Sequence, residues 1–212
     1  MKLYMSPRAP SPRRVGIFLA EKGLSDLAAV NIELVTVSIA AGAHKQADYL
    51  AKSPLAKVPA LELDDGRVLT ETRAICSYLE GLHPEPNLMG RGFDEHAFIE
   101  MADRRIELYL LMGIAMCIRH THPGLAPLEQ PQFPEFGASQ GQKMRDVACW
   151  LDGELARQPY VAGPRFTVAD ITAFCALEFA RGLMKFVPGD EGMPHLQAYL
   201  DCWQERPSAR VK

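Results

Sequence analysis

The stretch Ala56 to Glu80, AKVPALELDDGRVLTETRAICSYLE, holds two short apolar runs, a turn and then a change of period. VPALEL and RVLT flank Asp64-Asp65-Gly66, and Asp-Gly supplies the positive dihedrals that a tight hairpin turn needs. From Thr70 to Leu82 the pattern becomes helical, with Ala74, Ile75, Tyr78 and Leu79 as an apolar stripe. The segment reads as ββα.

Working outward toward the N-terminus, Met1 to Met5 is a strand-like run, and SPRRVGIFLAEKGL sets Val15, Phe18 and Leu19 at helical spacing. VNIELVTV follows, with Val30, Ile32 and Leu34 alternating with Asn31, Glu33 and Val35. A helix between two such strands is a crossover, which makes a parallel βαβ unit. Residues 38 to 57 lack a clean period and read as a loop holding one short helix. The order βαβ then ββα assigns residues 1–82 to an α/β thioredoxin-like domain.

Toward the C-terminus, HPEPNLMGRG from His83 carries two prolines and two glycines, so residues 83–92 read as a linker. Beyond it every periodic segment is helical, near 93–121, 139–157, 167–183 and 194–205. PGLAPLEQPQFPEFG, with four prolines, separates the first two. Residues 93–212 are therefore expected to form an all-α second domain. Thr167 and Asp170 have capping-box spacing, and Phe166 and Ile171 the spacing of a hydrophobic staple.

A hydrophobic fraction of 48% and a charged fraction of 23% suit a folded globular chain. A formal net charge of −3 offers no field for a phosphate backbone, so no nucleic acid partner is expected. Five cysteines, at 76, 117, 149, 175 and 202, form no CxxC and no disulfide framework. No metal spacing, GxGxxG or P-loop occurs, so neither a metal nor a nucleotide cofactor is expected. The longest uncharged run, Leu108 to Ile118, spans eleven residues, too short for a membrane span. MKLYMSPRAPSPRR does not read as a signal peptide, and the expected location is cytoplasmic.

Two local patterns suggest chemistry. Lys57-Val58-Pro59 puts a proline at a strand start, either as an ordinary edge residue or as a cis bond that turns the Val58 backbone outward to pair with an extended peptide. Glu71-Thr72 stands at a helix start, where free amides favour a carboxylate and the Glu71 side chain can hold an ammonium group. Simple helix capping by Thr70 or Thr72 is the alternative.

SPRAPSPRRVGIFLAEKGL (6–24), HKQADYLAKSPLAKVPALELDDGRVLTETRAICSYLE (44–80) and RFTVADIT (165–172) together resemble the cytosolic glutathione transferases over essentially the full chain. The resemblance implies glutathione as cosubstrate, conjugated to a hydrophobic electrophile, with Leu108, Met112 and Met116 as candidate pocket or core residues. It further implies that Val58 pairs with the cysteinyl backbone, that Glu71 and Thr72 hold the γ-glutamyl end, and that Lys45 and Lys57 neutralise the glycyl carboxylate. It also implies a homodimer. A glutathione-dependent isomerase or dehalogenase, and a non-catalytic glutathione-binding protein, are the alternatives on the same fold.

The chain departs from the family where many members carry a Ser or Cys before a proline in the first helix. Ala9-Pro10 stands there, as in a yeast-like branch that lacks a Ser, Cys or Tyr activator and is thought to use an ordered water. Ser11 follows two residues later, about 200° around a helix. Ser6 and Tyr4 are further candidates, and Arg13 is a basic neighbour. His120, within Arg119-His120-Thr121-His122, can hold a water, or can meet the helix dipole as histidines near a helix C-terminus do.

Overall fold

The computed structural model describes residues 1–7 and 9–211. The chain divides into two compact units: Met1–Asn87 together with the C-terminal stretch from Pro207, and Leu88–Arg206.

The first unit contains β1 (Lys2–Met5), α1 (Pro10–Glu21), β2 (Glu33–Thr36), a 3-10 turn (Ala43–Lys45), α2 (Ala47–Leu50), β3 (Ala60–Glu62), β4 (Val68–Thr70) and α3 (Thr72–Leu82). The strands form one sheet in the order β2-β1-β3-β4. β1 runs parallel to β2 and antiparallel to β3, and β3 runs antiparallel to β4. This is the thioredoxin-like arrangement expected from the sequence.

Three details differ from the expected pattern. In the hairpin, Gly66 alone takes a left-handed φ, at 84°, and the Leu63 N–H closes the loop on the Arg67 carbonyl at 2.8 Å. A single left-handed residue ending a longer loop thus replaces a two-residue turn. The buried face of α3 is Thr72, Ile75, Cys76 and Leu79, while Ala74 is exposed and Tyr78 half-buried. The Cys76 side chain fills the place given to Ala74, as a small apolar thiol readily does. On β2, Val35 rather than Leu34 packs on the cluster of Tyr4, Val37, Tyr49 and Ala60. Ile32, just before the strand, keeps its expected burial, so the inward side changes between Ile32 and Val35.

The C-terminal stretch, expected to belong with the helical domain, belongs instead to the first unit. Arg13 explains this: its Nε donates to the Val211 carbonyl and its Nη2 to the Ala209 carbonyl, each at 2.8 Å. Ser208 also hydrogen-bonds Glu21. At the far end of α1, the buried Lys22 ammonium joins the Glu80 carboxylate at 2.5 Å and the Pro86 carbonyl at 2.7 Å.

The second unit is helical. It comprises α4 (Gly92–Arg105), a π-helical stretch (Ile106–Leu111), α5 (Met112–Thr121), α6 (Pro134–Leu155), α7 (Val168–Met184) and α8 (Pro194–Gln204), with short 3-10 turns between them. α6 begins at Pro134, not near 139. Four prolines suggest a continuous loop, but at the first helical position a proline's missing N–H costs nothing and its φ suits the helix. α7 opens with the expected capping box of Thr167 and Asp170, the Thr167 N–H donating to the Asp170 carboxylate at 2.8 Å. Phe166 packs its ring against Tyr160 and Trp203. Among the described residues no helix is long and apolar enough to cross a membrane.

Candidate functional site

The register of the hairpin assembles the site. Ala60 pairs with Thr70, so the residues just before β3 and just after β4, Val58-Pro59 and Glu71-Thr72, come to the same end of the sheet. Tyr4 pairs with Ala60, which brings the end of β1 and the start of α1 to that end as well. The Thr72 hydroxyl donates to the Ser11 carbonyl at 3.2 Å, tying the starts of α3 and α1 together. Two helix N-termini, each with amides lacking intrahelical acceptors, thus meet at one place.

The Val58–Pro59 peptide is cis. Among the described residues the Val58 backbone makes no hydrogen bond, so its N–H and C=O remain for a ligand. Its neighbour is held firmly. The Lys57 carbonyl accepts from the Tyr49 hydroxyl at 2.6 Å and the Ser53 hydroxyl at 2.9 Å, and Ser53 Oγ accepts the Lys57 N–H at 3.2 Å. Burial pushes the Tyr49 hydroxyl up to about 12, so it stays a donor across the working pH range.

Glu71 occupies φ 67°, ψ 122°, a left-handed value that a residue with a Cβ rarely takes. It is the N-cap of α3, yet its side chain makes no capping bond and is exposed. Its carbonyl accepts the Ile75 N–H at 3.0 Å, so the strained backbone is held by the helix while the carboxylate stays at the surface. Thr72 is buried. Its hydroxyl proton is committed to Ser11, so toward a ligand Thr72 offers its backbone N–H and a hydroxyl acceptor.

His44 was not anticipated from the sequence. It is buried, at 7% exposure, and its Nδ1 has no hydrogen-bond partner. Burial first, then the charges of Lys45 and Lys57, push its pKa below the ordinary histidine value. An orphaned buried nitrogen beside two exposed lysines points to an anionic group supplied from outside. The sequence signal was the adjacent pair His44-Lys45 in an unpatterned loop. Tyr49 and Ser53, which position Lys57, left no signal of their own.

At the start of α1, Ala9 is the N-cap, its carbonyl accepting the Arg13 N–H at 3.1 Å. Pro10 and Pro12 carry no N–H. Among the described residues the Ser11 N–H has no acceptor, which leaves it as the amide donor of that first turn. Tyr4 is committed elsewhere: its hydroxyl donates to Glu62 at 2.6 Å, and Lys52 joins the same carboxylate at 2.7 Å. Burial and that bond raise its pKa. Ser6 is buried, and Arg13 is engaged by the C-terminal stretch rather than held toward the site.

His120 lies in the second unit. Its Nδ1 accepts the Phe133 N–H at 3.1 Å, at the N-cap of α6, and Phe136 packs edge-on against its ring. Arg119 pairs with Glu129 at 3.2 Å, and His122 accepts the Gly124 N–H at 3.1 Å. His120 thus holds the start of α6, while Arg119 and His122 fasten the loop that leads to it. Among the described residues no group of three or more His, Cys, Asp or Glu has the arrangement of a metal site.

Comparison with known proteins bears on both parts of the chain. Residues 9–82 match the family model of the glutathione S-transferase N-terminal domain, and residues 138–202 that of the glutathione S-transferase C-terminal domain. Glutathione S-transferase 2 of Saccharomyces cerevisiae is 37% identical over 99% of this chain and 88% of its own length. The crystal structure of a glutathione S-transferase domain-containing protein from Marinobacter aquaeolei VT8 superposes with a TM-score of 0.92 at 38% identity, covering 99% of this chain and 100% of that one. Gtt2 from Saccharomyces cerevisiae superposes with a TM-score of 0.90 at 36% identity, covering 99% of each chain.

Proposed function

The chain belongs to the glutathione S-transferase family, on the yeast-like branch, and from that premise we propose how it holds and activates its cosubstrate. The γ-glutamyl ammonium meets the Glu71 carboxylate, and the adjacent carboxylate takes the amides at the start of α3. The cysteinyl backbone pairs with the open N–H and C=O of Val58. His44, Lys45 and Lys57 receive the glycyl carboxylate, which also gives the His44 Nδ1 its missing partner. One observation carries the reading: polar groups open to a ligand, each matched to one end of glutathione, converge at one end of the sheet.

Catalysis then rests on thiolate stabilisation. A free thiol has a pKa of about 8.5, and each unit of lowering needs about 1.4 kcal/mol of preferential interaction with the thiolate. Ala9 offers no hydroxyl or thiol. The Ser11 N–H, the dipole of α1 and an ordered water supply the interaction instead. The thiol proton passes to solvent, the sulfur lone pair forms the new S–C bond, and the leaving group departs with the electrons of the bond it breaks. No further cofactor is required. In the helical unit Leu108 and Met112 are 53% and 46% exposed and present apolar surface. A homodimer in the cytoplasm completes the proposal.

A panel of small electrophiles assayed with and without glutathione tests it. Glutathione-dependent turnover of apolar members is expected. Tight retention on immobilised glutathione with no turnover of any member would instead establish a binding protein.

A further inference from the structure

The C-terminal stretch lies along α1, the helix whose first turn carries the open Ser11 amide. Ser208 meets Glu21 at the C-terminal end of α1, whereas Ala209 and Val211 meet Arg13 near its beginning, so the two segments run antiparallel. Gly16, one turn after Arg13, admits the contact: a Cβ there would fall 2.8 Å from the Val211 side chain. Arg13 spans both parts. Its backbone N–H closes the first turn on Ala9, while its guanidinium, a planar fork suited to two acceptors at once, holds two tail carbonyls.

We propose that this tail is a latch that positions the thiol-stabilising turn of α1, with Arg13 as a positioning residue acting through the tail and not as a cation acting on sulfur. The inference rests on the reading that glutathione's thiolate sits at the start of α1. With the guanidinium fixed to the tail, the turn from Ala9 to Arg13 has one arrangement, and the Ser11 N–H keeps one direction. With the tail gone, α1 loses its outer support along Arg13, Gly16 and Glu21, and the donor is no longer preorganised. Positioning of this kind governs thiolate energy more than cosubstrate affinity, because Glu71, Thr72, Val58 and His44 lie on other segments.

The test uses the full chain, a variant ending at Arg206, Arg13→Gln, Arg13→Lys, and the double variant of Arg13→Gln with the shortened tail. Thiolate absorbance of bound glutathione against pH gives the thiol pKa of each, calorimetry gives affinity, and thermal melting reports folding. The latch predicts that each single change raises the thiol pKa by about half to one unit, a three- to tenfold loss of thiolate well below that pKa, with affinity changed less than about threefold. The double variant should match the singles, since all remove one interaction. Arg13→Lys keeps the charge but not the fork and should behave like Arg13→Gln.

An Arg13→Lys thiol pKa equal to the parent's, with Arg13→Gln raised, would overturn the latch in favour of direct action by charge. So would additive effects in the double variant. If the shortened chain does not fold, the two Arg13 variants decide alone. A parent thiol pKa already near the free value would instead refute the underlying reading of the site, while a lowered parent value unmoved by every variant would refute the latch only.

Discussion

Two places in the molecule, the Asp170 network and the site end of the sheet, treat polar groups in opposite ways. In the helical unit every hydrogen-bonding direction of Asp170 is used: its carboxylate accepts from the Val161 N–H at 2.9 Å, the Thr167 N–H at 2.8 Å and the Tyr199 hydroxyl at 2.9 Å. The Thr172 hydroxyl likewise donates to Asp103 at 2.5 Å. At the sheet end of the first unit, His44 Nδ1 and the Val58 backbone are left open, and Glu71 holds a strained φ without capping its helix. Satisfied buried polar groups fix a fold, whereas open ones fix a ligand. Substitutions in the two regions should therefore separate stability from binding.

The largest effect is expected at Asp170. Asp170→Ala strands two buried amides and a buried hydroxyl, and should lower unfolding stability by about 3–5 kcal/mol. Folded protein recovered at low temperature should keep the parent's glutathione affinity. A loss of affinity with stability intact would break the contrast. Burial also pushes the Asp170 carboxyl up to about 6, so the folded state binds its proton more tightly than the unfolded chain. That contribution is fully present below about pH 4 and is lost as pH rises through about 6. Midpoints of denaturant unfolding measured between pH 4 and 7 should carry a falling component that Asp170→Asn removes.

Glu71 should show the reverse. Glu71→Ala removes the partner of the γ-glutamyl ammonium and should weaken glutathione binding by about 1–3 kcal/mol, read by calorimetry. Glu71→Gly sharpens the point, because glycine takes the left-handed φ without strain. It should bind glutathione equally poorly yet melt no lower than Glu71→Ala. His44→Ala comes next, with an expected loss of about 1 kcal/mol of affinity and little change in stability, since the buried Nδ1 forms no bond that the fold uses. A large drop in melting temperature with unchanged affinity would return His44 to the core.

The order of elements was legible because each step changes the hydrophobic period, and the segment from Lys57 to Leu82 shows both periods within a short span. Val58, Glu71 and Thr72 were legible as a strand start and a helix start. What escaped depends on partners distant in sequence. Nothing near Arg13 reveals that its guanidinium reaches Ala209 and Val211, and nothing near His120 reveals the Phe133 amide that occupies its Nδ1. Nothing near Thr72 reveals that its hydroxyl proton is spent on the Ser11 carbonyl, 61 positions away. Pro134 was misread for a local reason, since a loop proline and a helix-opening proline look alike until the preceding amide finds its acceptor.

The central claim is that backbone at the start of α1, and no hydroxyl or thiol side chain, stabilises the thiolate of glutathione. Ser11 tests it most directly, because its amide and hydroxyl can be removed separately. Turnover of one electrophile would be followed against pH in the parent, Ser11→Ala and Ser11→Pro. Ser11→Ala keeps the amide and should retain most of the rate with the thiol pKa unmoved. Ser11→Pro deletes the donor at a position where proline fits a first helical turn, and should raise that pKa. If Ser11→Ala alone lost about 30-fold to 1,000-fold in rate, with a raised thiol pKa and unchanged glutathione affinity, the hydroxyl would be the activator and the account would be contradicted.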